Sequence, residues 1–363
     1  MAKILMKGNE AIAEAAIKAG CVNYFCYPIT PQNEVGEYMA RRLPEVGGAF
    51  LQGESEVAVG NMLFGAASTG QRVFTTSSSP GISLMQESIS YMAGAHLPVV
   101  IVNIMRGGPG LGGILPAQSD YFQATKGGGH GDYRLLVLAP STIQEAVDLM
   151  MLSFHLAEKY RNPVMIIGDG MIGQMMEPVE FPEHHEEPEL PSNDLWAITG
   201  AKGREPRVIK SLFLDPKLLD DNSWNLYDKY ARMEREEIRF ESYRIKPKNK
   251  ILIVSYGTMA RICQTAIDEL EKDGVSVGLF RPITLFPFPS KQIAKEAKKK
   301  NIENVLVIEM STAQMKEDVD LAVLGAKPVK FYGETGGLVP SPDAVKEQIM
   351  KLIKNPNDEL KRR

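Results

Sequence analysis

Cysteine is scarce. Cys21, Cys26 and Cys263 are the only three in 363 residues, and no two form a C-x-x-C pair. An odd number without that spacing gives neither a disulfide framework nor a zinc ribbon. An iron–sulfur cluster normally takes four cysteine ligands, so this chain cannot supply one alone. Long apolar runs are missing too. No stretch approaches the roughly 20 residues a membrane helix needs. Residues 1–20, with Lys3, Lys7, Glu10 and Glu14, contain no signal-peptide core, so a cytoplasmic protein is expected. Nor is there an excess of positive charge, since the formal net charge is −4. Nucleic acid or an anionic membrane surface would need clustered Lys and Arg, so neither is an expected partner. Lys298, Lys299 and Lys300, and the terminal Lys361, Arg362 and Arg363, read as solvated helix and tail ends. The absence of a Walker A sequence and of a G-x-S-x-G elbow weighs against nucleotide hydrolases and serine esterases.

What is present is apolar patterning. With 44% hydrophobic residues the chain can bury more than one core. Up to about residue 180, short apolar runs at 22–26, 72–76, 97–105, 135–138 and 163–167 alternate with helix-length segments. Near-continuous apolar strands in that rhythm predict an α/β domain, a parallel sheet with helices on both faces. Ser141-Thr142-Ile143-Gln144 reads as a capping box opening a helix to about Tyr160. From Glu177 to about Lys248 prolines and charges dominate, and the stretch reads as a connector wrapped on another surface. Beyond it, strands are expected at 251–255, 275–281, 305–309 and 329–332, with helices at 258–272, 290–300 and after Ser341-Pro342. The expected division is 1–180, a connector at 181–248, and a smaller α/β domain at 249–355.

Several short motifs could carry chemistry. In Tyr27-Pro28-Ile29-Thr30-Pro31, the two prolines remove backbone donors and fix φ, so the chain turns and a helix begins near Gln32. Thr30 is then either a plain N-cap or a hydroxyl that joins the helix N–H groups in holding an anion. Gly53-Glu54-Ser55-Glu56 opens a helix rich in small residues. Its carboxylates either complement the helix dipole, or one of them meets a protonatable ring nitrogen of a cofactor in an apolar interface. The run 97–105 ends in Arg106, either a surface arginine or, at the carboxyl end of a parallel strand, a bidentate grip for a carboxylate. The glycine-rich 107–113 lacks the helix that a dinucleotide fingerprint requires. Gly168-Asp169-Gly170 with Asn193 has the spacing of the thiamine-diphosphate GDG…N motif. The proline-rich segment behind it offers no adequate helix, so it is not read as a diphosphate site. His130, in the loop 127–134, is either catalytic or only solvated.

Taken together, Tyr27-Pro28-Ile29-Thr30-Pro31, Gly53-Glu54-Ser55-Glu56, the turn from Ser77 through Ser79, Pro80 and Gly81 to Met85, and the strand ending in Arg106 resemble the alpha subunit of 2-oxoacid:ferredoxin oxidoreductases. The likeness continues through Arg281-Pro282-Ile283-Thr284-Leu285-Phe286-Pro287-Phe288-Pro289 and Val307-Ile308-Glu309-Met310, covering nearly the whole chain. The resemblance implies a thiamine-diphosphate pyrimidine-binding domain followed by a transketolase C-terminal-like domain. It implies oxidative decarboxylation of a 2-oxoacid to acyl-coenzyme A and CO₂, with ferredoxin reduced. A partner beta subunit would hold the diphosphate, Mg²⁺ and a [4Fe–4S] cluster. Gamma and delta (ferredoxin-like) subunits would complete the assembly, the gamma portion being a separate polypeptide because the chain begins at the pyrimidine domain. By the same resemblance Glu56, rather than Glu54, contacts N1′ of the aminopyrimidine. Thr30 and Arg106 hold the substrate carboxylate, and Tyr27, Pro28, Ile29 and Ser79 line the cofactor. The wording of 107–113 and 127–132 is most similar to the branched-chain (2-oxoisovalerate) subgroup, with 2-oxoglutarate next. Competing readings are a non-redox thiamine-diphosphate enzyme of the transketolase or decarboxylase kind, a non-catalytic scaffold subunit, and a nicotinamide dehydrogenase.

Overall fold

A computed structural model describes residues 3–182, 190, 192–358 and 360. Part of the proline-rich stretch and the terminal Lys361, Arg362 and Arg363 lie outside the described residues. The chain opens with β1 (Ile4–Lys7), α1 (Gly8–Lys18), β2 (Asn23–Cys26), α2 (Asn33–Glu45), β3 (Ala49–Gln52), α3 (Glu56–Ser68), β4 (Phe74–Ser77) and α4 (Ser79–Gly94). It continues through β5 (Val100–Met105), α5 (Tyr121–Thr125), β6 (Leu136–Leu138), α6 (Ile143–Tyr160), β7 (Val164–Asp169), α7 (Gly170–Gln174) and β8 (Met176–Val179). After α8 (Pro216–Glu236) come β9 (Phe240–Tyr243), β10 (Ile251–Val254), α9 (Gly257–Lys272), β11 (Gly278–Pro282), β12 (Thr284–Phe286), α10 (Ser290–Ala297), β13 (Asn304–Glu309), α11 (Gln314–Val323), β14 (Val329–Gly333) and α12 (Pro342–Lys354).

The first sheet has the order β12-β6-β7-β5-β4-β2-β3, and all its strands but β12 are parallel. Strands β4 to β7 are buried throughout, as their unbroken apolar runs require of a sheet covered on both faces. Helix α1 packs against α6 and α2, its alanines letting the axes approach, while α3 packs on α4. The predicted capping box is displaced by one residue. Thr142 is the N-cap, accepting the N–H of Glu145 at 3.1 Å, and Glu145 turns back to accept the N–H of Ser141 at 2.7 Å. Among the described residues, no helix is long and apolar enough to cross a membrane.

The second sheet runs β14-β13-β10-β11-β9, with only β9 antiparallel. Its edge strand β9 belongs to the charged stretch before residue 248. That stretch also forms α8, begun by Asp215 as N-cap with Pro216 in the first turn, and burying Leu226, Tyr230 and Met233 at helical spacing. The Arg281–Pro289 motif is where the two sheets are sewn together. One residue after β11 of the second sheet, β12 pairs with β6 of the first. Buried Arg281 grips Glu145 of α6 through both terminal nitrogens, at 2.8 and 2.9 Å, and Glu241 of β9 through Nε at 2.7 Å. Arg281→Ala would leave the partly buried Glu145 without its counter-ion and should cost roughly 2 kcal/mol in equilibrium denaturation. An unchanged midpoint would mean that β12 pairing alone holds the seam.

Candidate functional site

Because the first sheet is parallel, the segments after β2, β3, β4, β5 and β7 all emerge at its carboxyl edge, the side on which open α/β sheets bind ligands. Those segments are Tyr27–Pro31, Gly53–Glu56, Ser78–Gly81, Arg106 with its glycine-rich loop, and Gly170 directly behind the β7 end residues Gly168 and Asp169. Topology therefore brings together motifs far apart in the chain.

Thr30 is not the N-cap of α2. The helix starts three residues later behind Gln32, which makes no side-chain cap. The Thr30–Pro31 peptide bond is cis. The turn is pinned through its backbone. Asn9 and Gln174 donate to the Pro31 carbonyl at 2.8 and 3.0 Å, and buried Gln32 donates to the Tyr27 carbonyl while its own carbonyl accepts the hydroxyl of Thr76. Tyr27, Ile29 and Thr30 are half-buried and Pro28 is exposed.

The two candidate acids separate cleanly. Ser55 is the N-cap of α3, its hydroxyl accepting the N–H of Ala58 at 3.2 Å, so Glu54 stays outside the helix and exposed while Glu56 enters the first turn and is 6% exposed. The Glu56 carboxylate lies against Gly81 at the start of α4. A Cβ at position 81 would stand 2.5 Å from Glu56 Oε1 and 2.2 Å from Ser77 Oγ. The hydroxyls of Ser77 and Ser78 beside it are buried without a partner.

Arg106 is 7% exposed and leaves the end of β5 toward the Tyr27–Pro31 turn. Its Nη1 donates to the Thr30 carbonyl at 3.0 Å and Nη2 to the Leu111 carbonyl at 3.2 Å, while Nε is buried and unpartnered. No acidic side chain pairs with it among the described residues. The loop beyond carries Leu111, Ile114 and Leu115 exposed. Leu115 is braced by the second domain, because Gly337, at φ +93°, comes so close that a Cβ there would stand 2.4 Å from Leu115 Cβ. A cleft of about 580 Å³ opens between this loop and Thr30, floored by Gly170, Met171 and Gln174.

The Ser79 hydroxyl donates to Asp120 at 2.6 Å and accepts the N–H of Arg106 at 3.0 Å. The Gly168-Asp169-Gly170 motif takes another form. Asp169 caps the five-residue α7 through the N–H groups of Met171 and Ile172, and burial pushes its carboxyl above the usual range. Asn193 donates to Gly70, which precedes β4 at the opposite, amino edge of the sheet. His130 is exposed, packs edge-on against Tyr91, and its carbonyl accepts the Ser90 hydroxyl, about three turns along α4 from Ser79. Burial pushes the Cys21 and Cys263 thiols up to about 12 and Cys26 up to about 11. Among the described residues no group of three or more His, Cys, Asp or Glu side chains could hold a metal ion. Gln32, Thr76 and Asp120 had no signal in the chain, because each acts through a partner far away in sequence.

Comparison with known proteins finds matches along nearly the whole chain. Residues 14–211 match the family described as pyruvate flavodoxin/ferredoxin oxidoreductase, thiamine diphosphate-binding, and residues 249–345 match pyruvate:ferredoxin oxidoreductase core domain II. A ketoisovalerate oxidoreductase subunit of Methanothermobacter marburgensis is 45% identical over 99% of this chain and 100% of its own length. A 2-oxoglutarate synthase subunit of Methanothermobacter thermautotrophicus is 34% identical over 96% and 98%. Among solved structures, a 2-oxoglutarate:ferredoxin oxidoreductase of Magnetococcus marinus superposes with a TM-score of 0.83 at 25% identity over 97% of this chain, which spans 65% of that longer chain. A split-gene transketolase, at 14% identity and TM-score 0.59 over 96% and 98% of the two chains, shares the fold. The chain belongs to the pyruvate flavodoxin/ferredoxin oxidoreductase family. Within it, this is a subunit of the 2-oxoacid:ferredoxin oxidoreductase kind.

Proposed function

We propose that this chain is the pyrimidine-binding subunit of a branched-chain 2-oxoacid:ferredoxin oxidoreductase, converting the oxoacid and coenzyme A to acyl-coenzyme A and CO₂ while reducing ferredoxin. The observation that carries it is the buried Glu56 carboxylate at a helix head, with Thr30 and an acid-free Arg106 on the same sheet edge. The full-length ketoisovalerate oxidoreductase relative supports the substrate class, and the solved relative, which has 2-oxoglutarate, coenzyme A and succinyl-coenzyme A bound, supports the co-substrate. Exposed Leu111, Ile114 and Leu115 around the arginine suit an aliphatic side chain better than a second carboxylate.

The residues present fit an aminopyrimidine. The missing Cβ at Gly81 leaves room for the Glu56 carboxylate, and the unpartnered Ser77 and Ser78 hydroxyls are polar groups awaiting a ligand. When bound, thiamine diphosphate supplies the carbon nucleophile and the electron sink for loss of CO₂. Glu56 holds and returns a proton at the ring nitrogen N1′, and its burial lets that exchange proceed without competition from water. Tyr27, Pro28, Ile29 and Ser79 would line the ring. Arg106 and Thr30 orient the substrate carboxylate so that the bond to be broken is presented in one direction only. A beta subunit would hold the diphosphate, Mg²⁺ and the [4Fe–4S] cluster, with gamma and delta subunits and ferredoxin completing electron transfer.

Purification with its partner subunits under anaerobic conditions, followed by ferredoxin or viologen reduction across several 2-oxoacids plus coenzyme A, tests the reading. Highest kcat/KM on 2-oxoisovalerate is expected. A preference for 2-oxoglutarate would reassign the substrate, and an active preparation free of iron would favour a transketolase- or decarboxylase-like enzyme. Arg106→Ala should chiefly raise KM for the oxoacid, ten- to a hundredfold, through loss of a charge-assisted contact of roughly 1.5 to 3 kcal/mol. Unchanged KM and kcat would remove Arg106 from the site.

A further inference from the structure

The tip of Arg106 is held by two carbonyls, and its backbone is anchored by Ser79, which two further side chains hold in turn. The N–H of Arg106 donates to Ser79 Oγ at 3.0 Å, and that hydroxyl donates to Asp120 Oδ2 at 2.6 Å. Asn103 Nδ2 donates to the same Asp120 oxygen at 2.9 Å, and Asn103 Oδ1 accepts the N–H of Ser79 at 3.1 Å. The triangle is closed. Asn103 is fully buried in the middle of the otherwise apolar run Val-Ile-Val-Asn-Ile-Met of β5, a position where an amide is costly unless both ends are bonded, as they are.

Asp120 stands at the N-cap position of α5 and caps nothing there. Aspartate is among the preferred cap residues, so a carboxylate turned away from its own helix toward Ser79 and Asn103 is serving another purpose. Burial pushes its carboxyl above the usual carboxylate range, which is the cost of placing it there, and the two donors offset part of that cost.

We propose that Asp120 is a positioning residue for substrate binding: through Ser79 it fixes the backbone from which Arg106 reaches the carboxylate of the oxoacid. This rests on the reading of Arg106 given above. Asp120 touches neither substrate nor cofactor. Its contribution is to deny the strand end the freedom that would let the guanidinium drift, which matters where a misplacement of about 1 Å costs rate or affinity.

The test uses the enzyme assembled with its partner subunits. Asp120→Ala should raise KM for the 2-oxoacid roughly tenfold with kcat within about twofold of wild type, and KM for coenzyme A should not move. Asp120→Asn, which keeps an acceptor oxygen for Ser79, should restore most of the loss. In an Arg106→Ala background, Asp120→Ala should add nothing, because the group it positions is gone. The same fold-change in both backgrounds, a parallel rise in the coenzyme A KM, or wild-type kinetics in Asp120→Ala overturns the proposal and leaves Arg106 in place. Wild-type KM in Arg106→Ala alone overturns the underlying reading, and this proposal with it. Should Asp120→Ala fail to assemble, Asp120→Ser, which can still cap α5 but is too short to span to both Ser79 and Asn103, carries the same expectation, a raised oxoacid KM that is not additive with Arg106→Ala, and additivity overturns it.

Discussion

Glu56→Gln should lower turnover by about three orders of magnitude, within the span attributable to a positioned acid–base group. The amide is nearly isosteric with the carboxylate, so it can occupy the same space beside Ser77 and Gly81 and keep the head of α3 in place. On the role proposed for Glu56, what the amide loses is the ability to take up and return a proton at N1′. Subunit assembly, followed by size-exclusion chromatography, should therefore survive while ferredoxin reduction disappears. Near-normal turnover would sink the assignment. Glu54→Gln is the matched control, since Glu54 is exposed outside the helix and its variant should run at the wild-type rate.

Gly81→Ala should lower kcat/KM about a hundredfold with no loss of helix content, through displacement of an acid–base group that is itself worth 10²- to 10⁴-fold. An added Cβ would stand 2.5 Å from Glu56 Oε1 and 2.2 Å from Ser77 Oγ, both too close for real atoms, so the carboxylate must leave the position from which it is proposed to meet the ring nitrogen. The helix itself opposes the loss, because Ala is favoured over Gly in a helix by about 1 kcal/mol. Activity and helix propensity thus move in opposite directions, which separates displacement of the site from unfolding. Gly65→Ala, in α3 with nothing within 4 Å of the new Cβ, should be neutral in the same assays. Full activity in Gly81→Ala would mean that the Glu56 carboxylate does its work from another position.

Much of the fold is legible along the chain because its signals are local. The unbroken apolar runs that become β5 and β7, the prolines after Cys26 and the Pro-initiated α12 each declare themselves within a few residues. Errors cluster where one residue of offset matters. The helix expected near Gln32 starts at Asn33 with Gln32 at its cap position, which leaves Thr30 outside it, and the cap expected at Ser141 lies at Thr142, because cap choice depends on which hydroxyl the folded backbone presents. The separation of Glu54 from Glu56 is a burial difference that composition cannot express, since both acids suit a helix start equally well.

The sequence by itself determined the α/β class, the two regions of alternating strands and helices, and a set of motifs whose joint occurrence identifies the family. It did so because period, proline placement and motif wording are properties of short segments. Only the tertiary structure decided what those motifs do to one another. Parallel pairing of β2, β3, β4, β5 and β7 puts their carboxyl ends on one edge, so Arg106 meets Thr30 across 76 residues and Glu56 comes to rest against Gly81. The same holds for β12, which leaves the second sheet to complete the first, and for Asp120, whose partners Ser79 and Asn103 lie 41 and 17 residues away. Which distant side chains meet is set by tertiary packing, and no local pattern records it.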